Sequence, residues 1–171
     1  MEVKDIFSKL KRHMLEGMVF HDDMMRYFRF LGFDGYASFH HHQYNEETEG
    51  YHKLCKYYLD HYNSMIPYGD MERREVIPES WYRYDKKEVD VSTKRTGVKN
   101  GIEKWVEWEE ETKALYEEMC KELILMEEIA SADFLKHYIK DVDDELSKAD
   151  KKHITLETVG YDIGYIMADQ H

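Results

Sequence analysis

The order of apolar and polar positions resolves into four stretches of helical period. On a wheel that advances about 100° per residue, Phe7, Leu10, Met14, Met18, His21, Met24, Met25, Phe28 and Leu31 share one face of a first segment. Tyr36, His40, Tyr44, Glu47, Tyr51, Leu54, Tyr58, His61 and Met65 share one face of a second. Trp105, Trp108, Thr112, Leu115, Tyr116, Met119, Leu123 and Met126 do so in a third, and Phe134, Leu135, Tyr138, Ile139, Val142, Leu146 and Ala149 in a fourth. Spacings that alternate between three and four residues are those of a bundle core. Glycine and proline set the boundaries: helices over about 2–31, 36–65, 102–128 and 132–152, a tight turn at Gly32-Phe33-Asp34-Gly35, a crossover over 66–101 and a C-terminal segment over 153–171. Ser131 or Asp133 is the expected N-cap of the fourth helix. Two long helices joined by so short a turn are antiparallel neighbours, and a connection as long as 66–101 suits an up-down-down-up order. The expectation is an all-α four-helix bundle forming a single domain over 1–171. The crossover's apolar pairs, Val76-Ile77 and Trp81-Tyr82, should pack along it. Asp85 to Asn100 is the most polar stretch and is expected to be mobile.

Composition narrows the function. The chain carries 36 acids against 24 Lys and Arg, a formal charge of −12. Such a balance repels phosphate and argues against nucleic acid or an anionic membrane as partner. With two Pro and nine Gly, the chain has too few breakers for a sandwich or barrel of many short strands. No run approaches the ~20 apolar residues of a membrane span. The start, Met1 to Asp5, is charged and lacks the apolar core of a secretory signal. Cys55 and Cys120 are isolated and match no zinc-ligand spacing, so a reduced, cytoplasmic setting is expected. Ten His and fourteen Tyr, beside so many acids, direct attention to metal chemistry.

The acids that matter are those on core faces. Glu110 and Glu49 point away from their helices' apolar stripes, and a run such as Glu109-Glu110-Glu111 reads mainly as a solvated face. Glu47 sits at the centre of its stripe among Tyr44, Tyr51 and Leu54. A carboxylate there must be paired, protonated, hydrogen-bonded to the tyrosines or bound to a cation. Glu109 falls on the border of the third stripe. Asp141 and Glu145, at i and i+4, fall on the border of the fourth with Asp144 beside them, and acids so placed repel one another unless a cation intervenes. His21 and His40 lie on core faces of adjacent antiparallel helices, either as a hydrogen-bonded structural pair or as ligands. Consecutive side chains of a helix diverge, so His40, His41 and His42 cannot share one ion, and His41 and His42 belong to the surface.

Inward carboxylates from several helices of a bundle are the layout of di-iron proteins, and the chain resembles the ferritin-like superfamily, most closely the non-haem bacterial ferritins. The segments that carry the resemblance are Phe33-Asp34-Gly35 into Phe39 and Glu46-Glu47, and then Asp133-Phe134-Leu135 with Asp141-Val142-Asp143-Asp144-Glu145. Counting back from that acidic cluster places a third-helix ligand on Glu109. The resemblance implies Glu47 as the carboxylate bridging two irons, with Glu109 and Glu145 completing the dinuclear centre. It implies Glu46, Asp141 and Asp144 as a further acidic iron site. It further implies oxidation of Fe(II) by O₂ or peroxide, iron storage, a homo-oligomer and a short fifth helix within Thr155 to Ala168. The chain departs from the family where Gly50 follows Glu47 in place of a histidine and where Met14 occupies the first-helix ligand position. Glu49-Gly50-Tyr51-His52 has the Glu-x-x-His spacing but faces outward. His21 stands where ferritins have a tyrosine beside the iron and is the candidate replacement ligand. The alternative is a metal-free, degenerate ferritin-like bundle acting as an assembly or protein-interaction module. A DNA-protecting role is disfavoured by the charge and the lack of a basic tail.

Overall fold

The structure, a computed structural model, describes residues 1–69 and 75–171. Five helices follow in order: α1 Val3–Leu31, α2 Asp34–Tyr62, α3 Val91–Leu125, α4 Ile129–Thr158 and α5 Ile163–Ala168. The first four form the expected bundle. His21 meets His40, Leu31 packs on the backbone of Gly97, and Tyr138 reaches Gly50, so α1 runs antiparallel to α2 and α3, and α2 antiparallel to α4. Helices α2 and α3 are therefore parallel, and residues 63–90 must retrace the length of the bundle between them. Within that connection Val76, Ile77 and Trp81 pack on the core as expected, whereas Tyr82 is exposed. The part of the expected crossover on residues 70–74 lies outside the described residues.

The turn between α1 and α2 is set by Gly32. Its φ of +90° is the left-handed conformation that glycine adopts without penalty. Gly32 N–H donates to Arg29 O (3.0 Å) and Phe33 N–H to Phe28 O (2.8 Å), a Schellman closure that lets α2 start at Asp34.

Helix α3 begins eleven residues before the expected 102, capped by Asp90, whose side chain accepts from Thr93 N–H at 2.7 Å. The stretch from Val91 to Asn100 is thus helical rather than mobile. Its glycines are not breakers but contact points. A Cβ on Gly97 would lie 2.7 Å from Leu31 Cδ1, and one on Gly101 2.8 Å from Phe28 Cζ. Only bare backbone lets α1 and α3 approach so closely.

At the far end, α4 starts at Ile129 and neither Ser131 nor Asp133 caps it. The Ser131 hydroxyl is buried and bonds Tyr57 and Tyr62 of α2 at 3.0 and 2.6 Å. Helix α2 ends at Tyr62, which leaves His61 and Met65, expected on the core face, exposed. Helix α4 runs on to Thr158, and the fifth helix within the expected C-terminal segment is Ile163–Ala168. Tyr36 OH donates to Asp169 Oδ2 at 2.9 Å and Tyr36 N–H to Gln170 Oε1 at 3.0 Å, which ties the C-terminus to the start of α2.

Among the described residues no helix is long and apolar enough to cross a membrane.

Candidate metal centre

The apolar core is two clusters rather than one. The first, around Met24, Phe28, Leu31, Ile102 and Trp105, fills the end of the bundle near the α1–α2 turn. The second, around Phe7, Leu10, Leu54, Met119, Leu123 and Leu135, fills the other end. Between them lies a polar layer, and a cavity of about 550 Å³ opens into it from the α2–α4 side. Its walls carry Glu46 and Glu47 from α2, Glu109 from α3, and Asp141, Asp144 and Glu145 from α4. Six of the seven candidate ligands read from the sequence therefore meet at one cavity. The seventh, His21, lies immediately behind it, with Nε2 4.0 Å from Glu109 Oε1.

Glu47 and Glu109 are held in environments that disfavour their charge. The Glu47 carboxyl occupies the slot left by Gly17 of α1, where a Cβ would stand 3.1 Å from Glu47 Oε2 and 3.3 Å from Trp108. Burial, then repulsion from Glu145 and Glu46, pushes its pKa up to about 7. Glu109, placed at the border by its wheel position, is 3% exposed. Burial, then the carboxylates of Glu47 and Glu145, pushes it up to about 8. The Trp105 indole opposes that shift weakly, from outside full hydrogen-bonding geometry. Glu145 Oε1 accepts from Lys148 at 3.0 Å, while its Oε2 is buried and finds no partner among the described residues. Burial raises the Tyr116 hydroxyl, beside the same acids, well above its usual range.

The outer acids differ. Glu46 is half-exposed and pairs with His42 at 3.0 Å, and Asp141 and Asp144 are exposed at the cavity mouth. Glu49, expected to face outward, is exposed and paired with Lys53 at 3.2 Å, yet it reaches the rim. Glu110, His41 and His42 are on the surface as expected.

The departures from the ferritin pattern are visible as structure. Met14 lines the cavity at the first-helix ligand position, and the Tyr138 hydroxyl donates to Gly50 O at 2.8 Å, which closes the wall where the pattern has a histidine. Gln43, 4% exposed and on the cavity wall, was not singled out from the sequence. Its spacing of +3 from His40 and −4 from Glu47 puts it on the same helix face, and that signal was there to be read.

The donor set suits a hard cation: carboxylate oxygens from three helices, one with an orphaned buried lone pair, and an imidazole nitrogen behind them. As they stand, no group of three or more His, Cys, Asp and Glu among the described residues is drawn together tightly enough to hold a metal ion. Mutual repulsion of unneutralised acids opposes such closure.

No protein-family model and no curated protein matches the chain. Solved structures do. The open-pore ferritin of the hyperthermophilic archaeon Archaeoglobus fulgidus superposes with a TM-score of 0.77 at 15% identity, over 98% of this chain and 92% of that one. A second structure of that ferritin gives 0.76 at 15% identity over 96% and 90%. A closed form of it, engineered by site-directed mutagenesis, gives 0.75 at 14% identity over 96% and 90%. The chain thus has the ferritin-like fold over nearly its whole length.

Proposed function

We propose that the protein is a ferritin-like, non-haem iron-binding protein that takes Fe(II) as substrate into the carboxylate cavity and oxidises it with O₂ or peroxide. The observation that carries this reading is the convergence of Glu47, Glu109 and Glu145, from three helices, on one cavity between two apolar clusters. A layer of that kind is costly for an apo-protein and is offset when a cation replaces the protons. Glu47, whose carboxyl interacts with those of Glu145, Glu46 and Glu109, would be the bridging donor, with Glu109 and Glu145 completing the dinuclear centre. Each Fe(II) gives up one electron to the oxidant, and the harder Fe(III) that results is better matched to carboxylate oxygen. Glu46, Asp141 and Asp144 form an outer acidic station on the route between cavity and solvent. Iron storage would follow in a homo-oligomer that encloses the product, and sedimentation velocity reads that directly.

The second reading, a metal-free bundle serving as an assembly or interaction module, is favoured by Met14 on the cavity wall and by the Tyr138–Gly50 closure. Anaerobic equilibrium dialysis against Fe(II) separates the two. Bound iron that falls away in Glu47→Gln and Glu109→Gln, with protons released on binding near neutral pH, supports the first. Absence of bound iron in the wild-type protein leaves the second.

A further inference from the structure

Two histidines are sealed into the core directly behind the cavity. His21 is fully buried and His40 is 1% exposed. Their Nδ1 atoms face each other at 3.0 Å. Phe20 meets the His21 ring edge-on at 5.1 Å. His40 is clamped between Phe28, stacked at 5.5 Å, and the edges of Phe39 and Trp105, at 5.2 and 5.7 Å. His21 Nε2 is fully buried and bonds nothing among the described residues, and it faces Glu109 Oε1 at 4.0 Å.

A neutral pair that meets Nδ1 to Nδ1 shares a single proton, so the two rings are in opposite tautomers. If His40 held that proton, His21 would carry Nε2–H, a fully buried donor whose nearest acceptor, Glu109 Oε1, lies beyond hydrogen-bonding distance at 4.0 Å. If His21 holds it, the second N–H falls on His40 Nε2, which is not left buried and unpartnered, and His21 Nε2 presents a bare lone pair towards Glu109. The two donors stand slightly wider than an ion requires, since two bonds of about 2.1 Å at a tetrahedral angle place their donor atoms roughly 3.4 Å apart, and a small inward movement of the Glu109 carboxylate closes the difference.

We propose that His21 Nε2 is a nitrogen ligand of the cavity's cation, shared with Glu109, and that His40 is the positioning residue that accepts the His21 Nδ1–H and fixes the ligating tautomer. This inference rests on the reading that the carboxylate cavity binds a cation. Outer-shell acceptors of this kind, usually a carboxylate or a carbonyl, orient metal-bound histidines elsewhere. Here a second imidazole does so inside an apolar cage. The arrangement gives a site with two lost ligands one nitrogen donor that does not depend on the Gly50 or Met14 positions.

The test uses Co(II) alone as probe, with proton NMR of the loaded protein and equilibrium dialysis alongside. The wild type should show one exchangeable imidazole N–H shifted strongly by the bound ion, from His21 Nδ1–H. His21→Phe should lose that signal while the carboxylates retain weaker binding. His40→Gln, whose carbonyl can accept the same proton, should keep the signal. His40→Leu should broaden or lose it and weaken Co(II) binding by about 10–100-fold. Co(II) bound in the wild type with no shifted imidazole N–H overturns the inference and leaves the carboxylate site standing. A His40→Leu protein that keeps both signal and affinity overturns the role of His40. Absence of Co(II) binding in the wild type overturns the cation site itself. Should His40→Leu fail to fold, the wild-type spectrum and His40→Gln still decide.

Discussion

Glu47 and Glu109 hold their protons to about pH 7 and 8 in the folded chain, whereas an unfolded glutamate gives its proton up near 4.5. Over that interval the unfolded state binds fewer protons, so stability of the metal-free protein falls as pH rises through it. His21 and His40 act in the opposite sense. Burial holds both neutral, His21 down to about pH 3, and the unfolded chain takes up protons below about 6.5 that the folded chain refuses. Between 4.5 and 6.5 the two opposing pairs nearly cancel. Metal-free protein should therefore show a melting temperature that is nearly flat across that window and declines on either side, and a maximum near pH 8 would contradict buried carboxyls that keep their protons to about pH 7 and 8. Glu47→Gln removes one penalised carboxylate. It should stabilise the metal-free protein by about 1–3 kcal/mol at pH 8, with the gain gone by pH 4.5, as read by denaturant unfolding. The sequence pattern alone brings His21 and His40 to the core and Glu47 to the cavity wall, because each interrupts an apolar stripe. It put Glu109 only on a border, since a wheel has no knowledge of the neighbouring helix that covers it. The orphaned state of His21 Nε2 and Glu145 Oε2 depends on which atoms surround them in three dimensions, and no periodicity encodes that.

Among the elements, α3 shows most clearly what a sequence pattern can and cannot carry. Gly97 and Gly101 look like loop residues to any reading that treats glycine as a breaker. In the bundle their missing side chains are the reason that α3 fits against Tyr27, Phe28 and Leu31 of α1. Gly101→Ala should destabilise the protein by about 1–3 kcal/mol, because its Cβ would stand 2.8 Å from Phe28 Cζ, despite alanine's higher helix propensity. Gly50→Ala, whose Cβ would meet Tyr138 Cε1 at an ordinary 3.4 Å, should stabilise α2 by about 0.5–1 kcal/mol. Thermal unfolding of the two variants should thus shift in opposite directions, and a loss of stability in both would argue against close approach as the role of Gly101. The start of α4 departs from its sequence pattern for a different reason. Ser131 and Asp133 are good capping types, but the chain turns at Glu127, with φ of +60°, and the Ser131 hydroxyl is drawn instead to two α2 tyrosines.

For the molecule as a whole, four helical stripes and one long connection were enough to define the bundle and its order, because short turns and parallel neighbours leave little topological freedom. The docking of α5 was less legible. It depends on Asp169 and Gln170 bonding to Tyr36 across the whole chain, and on Lys152 meeting Asp169 at 2.5 Å. Removing residues 169–171 should cost about 1–3 kcal/mol through those lost bonds, measured by chemical denaturation, with the bundle itself intact by circular dichroism. The same whole-chain view explains why two apolar clusters stand apart: the acids of α2, α3 and α4 occupy the layer between them. We infer that this layer exists for iron. Stopped-flow mixing of anaerobically Fe(II)-loaded protein with O₂, followed by ferric absorbance, tests it most directly. Oxidation faster than in protein-free buffer, reduced to the buffer rate in Glu47→Gln, is the predicted result. A wild-type trace that matches buffer, or a Glu47→Gln trace that matches wild type, would contradict it.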